Sequence, residues 1–263
     1  MTAPPIVSFS AVSKTFVKGN ISFAACSELT FEVRPGEILA IVGETGCGKS
    51  TALSLLLGLQ APTEGTISVL GADPFRQFGD LRGRIGIIFQ NDRLLPWRTA
   101  LENVAFGLEI LHMPKAERYE KARHWLERVG LEKFVDSFPH QLSGGMRQRV
   151  SIARTFAINP PLLLADEAFS ALDEITAASL RADLLGLIGE EQKTTIFITH
   201  SVAEASELAG RILVFGKPGQ VVREIRASEM HAAGATRDDV SHAIREGLRI
   251  ARSRISEHEL QAI

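Results

Sequence analysis

Gly43-Glu44-Thr45-Gly46-Cys47-Gly48-Lys49-Ser50, followed by Thr51, is the stretch on which the reading of this chain turns. Its spacing is G-x-x-x-x-G-K-[ST], and each residue type in that pattern has a physical task. Glycines let successive N–H groups turn inward as a nest for an anion. Before the loop, Ile38-Leu39-Ala40-Ile41-Val42 reads as a strand buried on both faces, and Lys49 to about Leu57 reads as a helix. The start of that helix aims its positive end at the same point. Gly43, Glu44, Thr45, Gly46, Cys47 and Gly48 then form the cradle, and Lys49 reaches the β- and γ-phosphates. The Ser50 hydroxyl is placed to ligate Mg2+, and Thr51 adds a donor to the α-phosphate. A nucleoside triphosphate site on an α/β core is the expectation.

Further along, Leu162-Leu163-Leu164-Ala165-Asp166-Glu167 is an apolar strand ending in two carboxylates. Ionised groups without partners are costly in a buried strand. Beside a phosphate loop the pair therefore reads as chemistry: Asp166 to hold Mg2+, usually through water, and Glu167 to polarise the water attacking the γ-phosphate. The plain alternative is an acidic cap at a strand end.

Leu142-Ser143-Gly144-Gly145-Met146-Arg147-Gln148-Arg149 offers a second anion site, a serine and two glycines opening a helix. Ser143 would also be an ordinary N-cap. In this order the motifs resemble those of the ATP-binding-cassette (ABC) ATPases, over roughly residues 5–216. The resemblance implies a P-loop NTPase (RecA-like) core with an N-terminal antiparallel β subdomain and an α-helical insert at about 91–155, and it leaves 217–263 as a C-terminal extension. It also implies that two copies pair head to tail, so that Ser143, Gly144 and Gly145 of one complete the ATP site of the other. Gln90 matches the glutamine that senses γ-phosphate and Mg2+, and Ser170-Ala171-Leu172-Asp173 matches the loop that crosses the dimer interface. His200 matches the switch histidine contacting the γ-phosphate, and Phe16 lies where the family stacks a ring on adenine.

Three positions depart from the family pattern. Met146 stands where glutamine is common, which importers tolerate. Ala168 stands where proline usually follows the glutamate, which predicts a less restrained backbone and slower hydrolysis. Cys47 occupies a variable loop position, where it is either plain filler or, at a helix N-terminus, an acidified thiol whose alkylation would block ATP binding.

Phe89 to Trp97, then Glu102-Asn103-Val104, together with the Met-Arg-Gln-Arg signature, look like the nitrate/sulfonate/taurine-type importers. Leu94, Leu95 and Trp97 are apolar residues beside Gln90, and either receive a coupling helix of a membrane subunit or pack the insert. The resemblance implies two transmembrane permease subunits and a periplasmic solute-binding protein as partners, at the cytoplasmic face of the inner membrane. The ATPase does not touch the solute, so the chain does not specify it.

Bulk properties agree. The 263 residues are 45% hydrophobic with a net charge of −2, which permits a large core and lacks the basic excess of a nucleic-acid binder. The two cysteines form no framework of bridges, which fits a reducing compartment. Met-Thr-Ala-Pro-Pro is not a secretion signal, and the apolar run Ala52 to Leu59 is far shorter than the roughly 20 residues of a membrane span. In the tail, Ile244, Leu248, Ala251 and Ile255 make one helical stripe with Arg245, Arg249 and Arg252 beside it, a face for the chain's own domain or for a partner. The alternatives are a soluble ABC ATPase acting on nucleic acid or ribosomes, an exporter ATPase, and a regulatory module without turnover. Glu167 and His200 speak against the last.

Overall fold

The computed structural model describes residues 3–19 and 21–261, with side chains as far as Ser253. The chain divides into two units, Met1–Arg82 with Ile196–Ile263, and Gly83–Thr195. The first opens with β1 (Val7–Lys18), β2 (Ile21–Val33), β3 (Ile38–Gly43), α1 (Lys49–Leu56) and β4 (Glu64–Val69). The second holds β5 (Ile85–Phe89), α2 (Ala100–Ile110), α3 (Lys115–Arg128), α4 (Gly144–Ala157), β6 (Leu162–Asp166) and α5 (Glu174–Glu190). Through β7 (Thr194–Thr199) the chain re-enters the first unit, which closes with α6 (Val202–Leu208), β8 (Arg211–Gly216), β9 (Gln220–Ile225), α7 (Ala227–Ala232) and α8 (Arg237–Gln261).

In the first unit, β2, β1 and β4 form an antiparallel sheet in that order. Alternation puts Val7 and Phe9 inward, and Phe9 stacks on Phe31 with ring centroids 4.6 Å apart. The register slips between Phe9 and Val12, where Ala11 takes φ +48°, and this bulge keeps Val12 buried. β4 was not legible in the sequence: only Ile67 and Val69 of its six residues are apolar, and pairing with β1 makes it a strand. The second sheet of this unit runs β7-β3-β8-β9. β3 and β8 are parallel from Leu39↔Arg211 to Gly43↔Phe215, and burial of both faces explains their unbroken apolar runs. The tail stripe belongs to this core. Val240, Ile244 and Ala251 are buried, Leu248 is half-buried, and a Cβ on Gly247 would lie 3.0 Å from Val214 Cγ2. Ile255 lies outside the described side chains.

The second unit pairs β5 with β6 in parallel, so that Phe89 sits opposite Asp166 at the carboxyl ends. α2, α3 and α4 pack together through Val104, Leu108, Leu126, Val150 and Phe156, all buried. Each such side chain contributes about 1.5–3 kcal/mol of hydrophobic stabilisation. A capping box between Thr99 and Glu102 starts α2. The ambiguous apolar loop divides in two: Leu94 is buried with the insert, whereas Trp97 is 70% exposed.

Asn103 holds that loop. Its fully buried amide accepts the Leu95 N–H at 2.7 Å, and its two N–H hydrogens are shared among the carbonyls of Leu95, Arg98 and Thr99 at 3.1, 3.0 and 3.0 Å from the nitrogen. Removing a side chain that satisfies several buried backbone groups leaves them unpaired, at about 1–3 kcal/mol. Asn103→Ala is therefore expected to lower unfolding stability by about 2 kcal/mol and to speed amide exchange at Leu95. An unchanged denaturation midpoint would show that the loop is held by something else.

Candidate functional site

In the first unit the phosphate loop leaves the carboxyl end of β3 and enters α1 through Gly48, whose φ is +112°. No side chain caps the first turn of α1, so its leading N–H groups face outward for a ligand. Gly48 is required by space as well as by dihedral: a Cβ there would lie 2.6 Å from the Ala25 carbonyl oxygen and 2.7 Å from Gly219 Cα. Lys49 is buried and its ammonium donates to the carbonyls of Gly43 at 2.6 Å and Glu44 at 3.0 Å, a cation held at the mouth of the nest. Thr45, Gly46 and Ser50 are exposed, and Thr51 is half-buried.

Cys47 corrects an expectation. Its side chain points under the loop, 3% exposed, against Gly43. Burial pushes the thiol above its ordinary range, outweighing the downward pull of the Lys49 ammonium. A helix start acidifies a thiol only where water still reaches it, so Cys47 is packing and not a reactive nucleophile.

The turn after β8 buttresses the same loop, a contact that sequence reasoning missed. Gly219 N–H donates to the Cys47 carbonyl at 2.8 Å, and Pro218-Gly219 was the one turn signal available. From α8, the Arg252 guanidinium pairs with the Glu44 carboxylate, so the extension touches the phosphate loop. His200 is exposed at the end of β7. Its neighbours fix the turn: Thr199 Oγ1 donates to buried Glu204 at 2.5 Å and accepts the Ser201 N–H at 2.9 Å. Phe16 is 39% exposed near the tip of the β1–β2 hairpin, opposite Phe23, with the Lys14 ammonium 5.2 Å from its ring centroid.

In the second unit, Gln90 and the Asp166-Glu167 pair leave adjacent strand ends. Gln90 is exposed, and Asp166 and Glu167 are half-buried. Glu167 has φ +49°, a left-handed conformation uncommon outside glycine. Its carbonyl accepts from Ser170 N–H at 3.1 Å and Ser170 Oγ at 2.9 Å, closing a tight turn.

Ser143 caps α4, accepting the Met146 N–H at 3.2 Å, and Asp173 caps α5, accepting the Thr176 N–H at 3.0 Å. That N–H holds the Asp173 carboxyl below the usual range. The two helix starts lie side by side: a Cβ on Gly145 would come within 2.8 Å of Thr176 Cγ2, and one on Gly144 within 3.7 Å of Leu172 Cδ2. Ser143 and Asp173 are exposed, as is Ile175 beside them at 85%. Gln148, not singled out in the sequence, is 3% exposed and donates to the carbonyls of Phe89 at 3.1 Å and Ala168 at 2.8 Å.

Among the described residues no three His, Cys, Asp or Glu side chains gather as a metal cluster. Mg2+ bound with a triphosphate requires none, since it keeps waters and phosphate oxygens and takes one or two protein oxygens. The Ser50 hydroxyl, the Asp166 carboxylate and the Gln90 amide oxygen are hard donors of that kind.

Comparison with known proteins agrees with this architecture. The ABC transporter family profile matches residues 26–170, just over half of the chain. An uncharacterized ABC transporter ATP-binding protein of Methanocaldococcus jannaschii is 43% identical over 211 residues, 80% of this chain and 78% of that protein. A taurine import ATP-binding protein of Pseudomonas aeruginosa is 40% identical over 229 residues, 86% of each chain. Among solved structures, a dimeric post-hydrolysis state of the ATP-binding cassette MJ0796 bound to ADP and Pi superposes with a TM-score of 0.74 at 36% identity, over 84% of this chain and 98% of that one. A phosphate loop of the right form, a carboxylate pair at a strand end, a capped Ser-Gly-Gly helix start and these likenesses agree in one conclusion: the chain belongs to the ABC transporter family and is an ATPase cassette with the P-loop NTPase fold.

Proposed function

We propose that this chain is the ATPase subunit of an ABC importer and works as a head-to-tail dimer docked on two permease subunits at the cytoplasmic face of the inner membrane, with a periplasmic solute-binding protein in the assembly. The observation that carries the dimer is the exposed pair of helix starts headed by Ser143 and Asp173, with bare Gly144 and Gly145 and the uncovered Ile175 beside them. Such a surface suits an anion and a facing protein together. The likeness to a dimeric cassette bound to ADP and Pi supports this reading, and the taurine-import relative supports import.

In the loaded dimer each residue acts by position. Backbone N–H groups from Gly43 to Thr51 and the Lys49 ammonium bind the phosphates, while Phe16 stacks on the adenine. Ser143, Gly144 and Gly145 of the twin close over the γ-phosphate, and Asp173 lies at the dimer seam. Ser50, Asp166 and Gln90 would hold Mg2+, which would supply positive charge against that of the phosphates. Glu167 orients and deprotonates the attacking water, and His200 contacts the γ-phosphate. ATP binds the closed dimer better than the open one, so binding closes it and hydrolysis releases it. Exposed Trp97, on the loop clamped by Asn103, is placed to contact the permease.

Two measurements check this. Glu167→Gln should lower hydrolysis about 100-fold or more and yield a dimer stable to size-exclusion chromatography with ATP and Mg2+; a variant that stays monomeric at saturating ATP contradicts the closed pair. Trp97→Glu should leave basal hydrolysis intact and abolish co-purification with the permease. Retained co-purification would remove Trp97 from the docking surface.

A further inference from the structure

We infer that Gln148 is a positioning residue for hydrolysis, tying the turn that holds Glu167 and the strand end that holds Gln90 to the helix that Ser143 starts. This rests on the reading of Glu167 as the base.

The geometry is specific. The carboxamide of Gln148 is 3% exposed, and its nitrogen donates to two carbonyls from separate segments. One is Phe89, immediately before Gln90; the other is Ala168, immediately after Glu167. Because β5 and β6 are parallel neighbours with Phe89 opposite Asp166, one side chain of α4 spans the exits of both strands. The same helix grips the Gln90 segment elsewhere: Arg147 Nε pairs with Asp92 at 3.0 Å, and Arg154 donates to the carbonyls of Asp92 at 2.6 Å and Arg93 at 2.8 Å.

Backbone strain supplies the reason for such a tie. At φ +49° Glu167 sits in a region that non-glycine residues adopt only where the surroundings over-determine it. Ser170 holds the Glu167 carbonyl, and Gln148 holds the next one along. Gln148 thus restrains the backbone at Ala168, a residue without the fixed φ of a proline. Since Gln148 lies about one and a half turns from the Ser143 cap, a shift of α4 when its start meets a phosphate is passed to the turn that aims the base. A water-activating carboxylate misplaced by even 1 Å costs about 100-fold in rate.

Gln148→Met preserves length and bulk and removes both donors; Gln148→Asn preserves the amide and shortens its reach. In the full-length chain we expect either to lower kcat about 10- to 100-fold while ATP affinity, measured by equilibrium binding, stays within about twofold, because the phosphate loop is untouched. In a Glu167→Gln background, single-turnover hydrolysis should fall no further, since there is no base left to aim. Thermal melting selects the folded variants, and the shorter amide replaces the methionine if the latter does not fold. A native kcat in a folded Gln148 variant, beside an inactive Glu167→Gln chain, overturns this inference alone. So does a rate loss of the same factor in both backgrounds, the mark of a general structural defect. A Glu167→Gln chain that hydrolyses ATP at the native rate overturns the base assignment and this inference together.

Discussion

Meeting the charge of a polyphosphate with backbone N–H groups that no other part of the protein uses is the constraint behind most of this molecule. Helix starts supply such groups, because their first turn lacks intrahelical acceptors. α1 presents them without a side-chain cap, whereas at α4 Ser143 takes the Met146 N–H and the proposed phosphate contact falls to Ser143 and its glycines. Gly48 leads into α1, and Gly144 and Gly145 open α4, where a side chain would stand between the amide and an anion. At Gly48 and Gly145 there is a second reason: neighbouring backbone or side chain already occupies the space. The parallel strand β3 feeds the start of α1, as chemistry gathers at strand carboxyl ends in folds of this kind.

Such sites work by position more than by reactive groups, and position has to be held against thermal motion and strain. The turn at Glu167 is held by Ser170 and Gln148, the His200 turn by Thr199, Ser201 and Glu204, and the phosphate loop by Gly219. None of these supports touches a phosphate in the proposed mechanism, yet each fixes a carbonyl or hydroxyl within a residue or two of a group proposed to act on the phosphates or on the attacking water. Placing two functional segments on the same helix, as α4 does, makes its motion common to both.

Several residues took the less reactive of two available roles, for one reason: burial. Cys47 turned its sulfur under the loop, where desolvation outweighs a nearby cation. Leu94 joined the core of the insert while Trp97 stayed out, although the two are only three residues apart. The apolar stripe of the tail faces β8, and its arginines stay outside except that Arg252 reaches Glu44.

Local order was sufficient for much of this. The Gly-x-x-x-x-Gly-Lys-Ser run, the Asp-Glu pair after four apolar residues and the Ser-Gly-Gly helix opening each carry their backbone requirement within a few residues, so fold class and ligand class could be read from the chain and candidate site positions proposed from it. The central strands and the long helices were legible because continuous burial and 3.6-residue periodicity leave a mark in composition. Contacts between distant residues left none. β4 has too few apolar residues to announce itself, Gln148 looks like a surface glutamine between two arginines, and Gly219 looks like any turn glycine until Gly48 is found against it. Whether a polar side chain is solvated or clamps two carbonyls depends on what other segments bring to it, and only the folded chain decides that.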